Sequence, residues 1–291
     1  MSDEVTTTAV DDLIYTAIIN DRIIDYARAA VVCPPLCRQA DLSLDASRSY
    51  DFPKWNALSA APITEGDDLA NTALTTGKVA VAANEVGVMI TVKDLASESD
   101  IASGLEDYAR QLGLAAADKI DHDVCALFPN FNGGTGVGTS GADLTDDIFL
   151  EALYALEAAN APKPYVAVLH PIQVHGLRKD IISNGGTFYG PAIGASIAGA
   201  EGMIDRGNGY VGSLFGVDLY QTTNVPTVNQ DADRGGAMFA KGEAIGLVTK
   251  WPVRTELQRD ASARATEIVV TSFYGVGELM DSFGIPIKTK A

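Results

Sequence analysis

Residues 38–78, RQADLSLDASRSYDFPKWNALSAAPITEGDDLANTALTTGK, constrain the possible folds of this chain more than any other stretch. They hold short strand-like pieces with little apolar content between them, punctuated by Pro53, Pro62 and Gly66. Connections inside a compact domain usually run to about 4–6 residues, and this segment is many times longer. Such a segment is either disordered or a projecting hairpin that packs on something outside its own core. Tyr50, Phe52 and Trp55 favour the hairpin, because disordered segments carry little aromatic surface. Phe52 and Trp55 are therefore candidate contacts to a surface beyond this core.

The same segment carries Glu65, Asp67 and Asp68. A run of acids of this kind is a solvated turn or a docking surface for basic side chains. Arg254, Arg259 and Arg264, around a late strand and its turn, are the complement, within one chain or across two. The whole chain is acidic, with 38 Asp and Glu against 21 Lys and Arg, a formal charge of −17. That charge repels phosphate at long range and argues against a nucleic-acid reader. Hydrophobic residues make up 47% of the 291, the balance of a folded globular chain. The acidic start, MSDEVTTTAVDD, lacks the basic and apolar runs of a signal peptide, and no apolar run is long enough to cross a bilayer. We expect synthesis in the cytosol, no membrane partner, and thiols that stay reduced and apolar at Cys33, Cys37 and Cys125.

Apolar spacing predicts a helix over 8–30, stopped by Pro34 and Pro35, and strands around Val79–Val81 and Val86–Val92. A long helix follows over 97–128, capped by Ser97 or Ser99, with Ile101, Leu105, Tyr108, Leu112, Ile120, Val124 and Leu127 on one face. Thr145 caps a second helix, Tyr165–Leu169 is a strand, and Pro171 opens a third helix. Strands dominate from residue 210 onward. Helices and strands mix without a regular βαβ repeat, so the class is α+β.

GTGVGTSG, residues 134–141, has the spacing G-x-G-x-x-G, yet it follows a helix, and the helix after it opens on Asp146 and Asp147. A dinucleotide loop needs a strand before it and a helix N-terminus free of acids. The expected role is a loop joining two helices, not a phosphate cradle; the nucleotide-binding enzyme that would use it, or His170, is the minor alternative. His170 and His175 are five apart, off the spacing that puts two ligands on one helix face. We expect no catalytic set, metal or cofactor.

In order and pattern, the chain resembles the major capsid proteins of tailed bacteriophages with the HK97-type fold. The likeness runs through FPKW and APITEGDDL, then VGVMITVKDLA and SESDIASGLEDYARQLGLAAADKIDHDVCALF. It continues in YVAVLHPIQVHGLRKD and LFGVDLYQTTNVP. The pairing of AMFAKGEAIGL with SFYGVGELMDSFGI is its most specific part. The resemblance implies an N-terminal arm (1–37), an extended β-hairpin loop (38–78) and a peripheral domain with a spine helix (79–160, completed by 250–275). It further implies an axial domain (161–249) and a C-terminal strand and tail (276–291). It implies a structural protein that assembles with itself into pentamers and hexamers of an icosahedral shell around double-stranded DNA, without specific DNA binding. Phe52, Trp55, Glu65, Asp67, Asp68, Arg254 and Arg259 then become inter-subunit contacts. Separate scaffolding, portal and decoration proteins are implied partners, with assembly in the host cytoplasm and a final place in the virion. A nanocompartment shell of the encapsulin type shares the same fold and is the alternative.

Overall fold

The computed structural model describes residues 22–25, 31–43, 47–55, 58, 60, 62, 73–74, 76–93, 104–183 and 209–291. The helix expected over 8–30 is seen at 22–25; its remainder, like the expected caps Ser97 and Ser99, lies outside the described residues. No helix among the described residues is long and apolar enough to cross a membrane.

Two large sheets, a two-stranded hairpin and three long helices organise the described residues. The first sheet has the order β1-β10-β11-β4, from β1 (Arg38–Asp41), β10 (Ile245–Asp260), β11 (Ala265–Glu278) and β4 (Asn84–Lys93). β10 and β11 form a hairpin of 16 and 14 residues, roughly 50 Å long. Asp260 closes its turn, its carboxylate accepting from the Ser262 N–H at 2.9 Å and the Ala263 N–H at 3.1 Å. β4 alternates as its sequence predicts: Val86, Val88, Ile90 and Val92 turn inward and the residues between them are exposed. Val88, Ile90 and Val92 pack with Ala109 and Leu112 of helix α1 (Gly104–Cys125), Ile23, Ile268 and Val270.

The second sheet runs β12-β9-β5-β7-β6, with β8 (Thr227–Val228) also paired to β9. Its strands are β5 (Tyr165–Leu169), β6 (Tyr210–Leu214), β7 (Val217–Gln221), β9 (Asp233–Ala240) and β12 (Gly284–Lys290). β5 is buried on both faces. Tyr165, Ala167 and Leu169 point into a core with helices α2 (Asp146–Ala158) and α3 (Pro171–Ser183). Val166 and Val168 point into another, with Val124, Phe128, Phe131, Phe239, Leu247 and Tyr274. A continuous apolar strand suits a sheet covered on both sides. The Thr145 hydroxyl caps α2 as expected, accepting from the Ile148 N–H at 3.4 Å, with Asp146 and Asp147 in the first turn.

Two segments placed only in outline by the sequence find their partners in the structure. Residues 38–41, assigned to the extended loop, are strand β1, paired in parallel with Gly246–Thr249. Residues 284–290, within the expected C-terminal strand and tail, are β12, the edge strand paired with β9 along its whole length. Both pairings join segments far apart in sequence, which local pattern does not register.

Candidate assembly surface

The projecting segment forms a two-stranded hairpin, β2 (Ser49–Trp55) with β3 (Thr76–Ala82), antiparallel from Ser49↔Ala82 out to Trp55↔Thr76. Side chains alternate across a strand, so Tyr50 and Phe52 share one face and Trp55 takes the other. The structure separates the two sequence candidates accordingly. Phe52, expected at a contact with another subunit, is 3% exposed within its own chain. It packs with Leu42, Val81, Val248 and Leu279, its ring edge-on to Tyr50 at 4.8 Å. Trp55 is 57% exposed, and Leu58 and Leu74 beyond it are 58% and 47% exposed. The hairpin is thus anchored at its root and apolar but uncovered farther out.

The root fits because the sheet beneath it lacks side chains at two points. A Cβ on Gly246 would stand 2.9 Å from Phe52 Cε2, and one on Gly277 would stand 2.6 Å from Val81 Cγ2. Across the hairpin the Lys78 ammonium meets the Asp51 carboxylate at 2.6 Å, an exposed pair. Near the root, burial and the adjacent Asp281 carboxylate push the Glu278 carboxyl up to about 7, with Lys54 pulling the other way.

Arg254 and Arg259 lie on the outer half of β10. The Arg254 guanidinium pairs with Glu256 at 2.8 Å, two residues along the same face. Arg259 Nη1 donates to Thr266 Oγ1 at 3.3 Å, its cross-strand partner. Glu65, Asp67 and Asp68 lie outside the described residues.

The glycine loop has a mechanical reason. Val137 bridges to Ile287 of β12: its N–H donates to the Pro286 carbonyl and its carbonyl accepts from the Lys288 N–H, both at 2.9 Å. On either side of it, Gly136 and Gly138 bring bare backbone against the strand. A Cβ on Gly136 would lie 2.9 Å from Pro286 Cβ, and one on Gly138, whose φ is +111°, would press on the Lys288 carbonyl. The Gly141 N–H is taken by the Asp233 carboxylate at 2.7 Å. Gly136, Val137 and Gly138 thus serve β12, and the Gly141 N–H serves the start of β9.

Two buried polar residues that the sequence reading overlooked hold the architecture. Asp121 is 2% exposed on α1, its two carboxylate oxygens accepting the N–H groups of Val32 and Cys33, each at 2.9 Å. Burial is the main cause that lifts its carboxyl above the ordinary range, against those two hydrogen bonds. Its helical phase, three and four residues before Val124 and Cys125, was the available signal. Gln173 is 1% exposed; its amide nitrogen donates to the Arg234 and Ile287 carbonyls and to Thr289 Oγ1, and its oxygen accepts from the His170 N–H at 3.0 Å. His170 Nδ1 accepts from the Ile172 N–H at 3.3 Å, and burial holds its basicity down, so this histidine fastens the start of α3. Among the described residues no cluster of His, Cys, Asp or Glu is fit to hold a metal ion.

Comparison with known proteins matches this architecture. The structure aligns with that of Mycobacterium phage Che8 at a TM-score of 0.67 and 17% identity, covering 88% of this chain and 90% of that one. It aligns with a virus-like particle protein from Pyrococcus furiosus at a TM-score of 0.62 and 10% identity, covering 94% and 99%. The fold is the HK97-like α+β fold of phage capsids. In sequence, the chain is 24% identical over 221 residues to the major capsid protein of Staphylococcus phage phiMR11, covering 74% of this chain and 70% of that one. The family model described as phage capsid protein matches residues 76–285, and the chain belongs to that family.

Proposed function

We propose that this chain is the subunit of an icosahedral shell around double-stranded DNA, built from pentamers and hexamers of itself. The observation that carries this reading is the uncovered apolar end of the β2–β3 hairpin. Trp55, Leu58 and Leu74 expose a surface whose natural cover is another copy, while the root of the same hairpin is satisfied internally. Many weak repeated contacts add up to a stable closed assembly. The first sheet with α1 is the peripheral domain, and the second sheet with α3 is the axial domain about which capsomers form. In this reading Trp55 contacts the neighbouring subunit. Glu65, Asp67 and Asp68 face Arg254 or Arg259 of that neighbour, each pair contributing at most about 1 kcal/mol. The charge of −17 keeps packaged DNA from adhering to the wall. Separate scaffolding, portal and decoration proteins assist, and assembly takes place in the host cytoplasm.

Electron microscopy and size-exclusion chromatography of the expressed chain test the proposal. Capsomers or closed particles are expected; a monomer under all conditions, with scaffold present, refutes it. The likeness to the Pyrococcus furiosus virus-like particle favours a second reading, a compartment that encloses an enzyme and no genome. The contents of purified particles, nucleic acid or protein, separate the two.

A further inference from the structure

We propose that Cys33 and Cys125 are a disulfide-forming pair which, on oxidation, staples segment 31–37 to helix α1. Their sulfurs are 3.6 Å apart across 92 positions of sequence, and both residues are 0% exposed. The meeting is enforced by neighbouring chemistry. Asp121 grips the backbone N–H groups of Val32 and Cys33, and Cys125 lies one helical turn beyond Asp121 on the same face of α1. The carboxylate that fixes the Cys33 backbone therefore delivers its thiol to the Cys125 thiol. Cys37, the third cysteine, turns its thiol to the Cys33 carbonyl at 3.4 Å.

The oxidant is a low-molecular-weight disulfide such as oxidised glutathione. One cysteine thiolate attacks it, forms a mixed disulfide and releases one glutathione thiolate. The second cysteine, deprotonated in turn, attacks the protein sulfur of that mixed disulfide and releases the other. The two protons lost by the cysteines end on the two departing thiols, so the protein loses two hydrogens and the oxidant becomes two reduced thiols. The Cys33 thiol is held well above its ordinary range by its contact with Cys125 and by burial, which keeps thiolate scarce while the segment is closed. Oxidation consequently starts through opening of 31–37 and is completed on reclosure, when the second sulfur reaches the mixed disulfide.

The choice of partner reports native geometry. In an unfolded chain no geometry holds Cys33 beside Cys125, 92 positions away, and the nearer Cys37, 4 positions away, is the partner it meets most often. The folded full chain is incubated in a glutathione redox buffer, warmed to the foot of its melting transition, alkylated, and mapped by peptide mass. The expected product has lost two hydrogens, links Cys33 to Cys125, and leaves Cys37 alkylated. Cys37→Ser preserves the link. The urea-unfolded chain in the same buffer gives the Cys33–Cys37 bond instead. A Cys33–Cys37 bond in the folded chain, or three alkylated thiols there while the unfolded chain oxidises, overturns the proposal.

Discussion

Trp55→Ala and Phe52→Ala remove aromatic rings three residues apart on one strand, and the structure assigns them opposite consequences. Phe52 is 3% exposed and packs against Leu42, Val81, Val248 and Leu279, so its loss leaves a cavity and costs about 3–5 kcal/mol of subunit stability. Trp55 is 57% exposed, so its truncation disturbs the isolated subunit by less than about 1 kcal/mol. What it loses is surface for a neighbour. An indole side chain presents about 250 Å², of which roughly 140 Å² is open. Complete cover by a second copy would contribute up to about 3.5 kcal/mol at 25 cal/mol per Å². Each subunit contact would then weaken by as much as about 300-fold. Urea denaturation of unassembled chain reads the first quantity; light scattering across a concentration series reads the second. Phe52→Ala is expected to lower the urea midpoint sharply. Trp55→Ala is expected to keep the wild-type midpoint and to raise the concentration needed for assembly. Trp55→Ala chains that assemble at the wild-type concentration, or that melt as early as Phe52→Ala, refute the division between root and outer arm.

Asp121→Ala leaves two buried N–H groups without acceptors, so unfolding by urea is expected to show a loss of about 2–4 kcal/mol, and about half that for Asp121→Asn. Gly138→Ala combines a φ of +111° with a Cβ pressed on the Lys288 carbonyl and is expected to cost more than about 2 kcal/mol, while ATP or NAD leaves the wild-type melting temperature unmoved; a nucleotide-induced rise contradicts the role given to this loop. Glu278 carries a raised folded-state value of about 7 against an ordinary 4.5, so the folded chain holds an extra proton between them. Stability from this group is therefore greatest below 4.5, falls as pH rises to about 7 and is level above. Glu278→Gln is expected to raise the melting temperature at pH 8 and leave it unchanged at pH 4.

Local chemistry made much of the fold readable. Thr145 and its two following acids announced α2, the alternation of Val86 to Val92 announced β4, and the unusual length of 38–78 announced an arm. Pairings between distant segments were not readable, since nothing in RQAD announces a parallel partner at Gly246–Thr249. Phe52 and Trp55 looked equivalent as a string of aromatics, although strand parity already set them on opposite faces. Asp121 was lost among charged neighbours; Lys119 and Asp123, which pair at the surface, make the whole stretch look solvated. The glycines of 134–141 gave no hint of what they pack against, since β12 lies some 150 residues away and only the fold brings it near.

Gly246 and Gly277 act as sockets, and Phe52 and Val81 are the pegs that fill them. An arm mounted in this way cannot pivot at its base without withdrawing both pegs. When identical copies must meet at unequal angles around a curved wall, this root is therefore the stiff part of the joint, and it holds the direction in which Trp55 leaves the body.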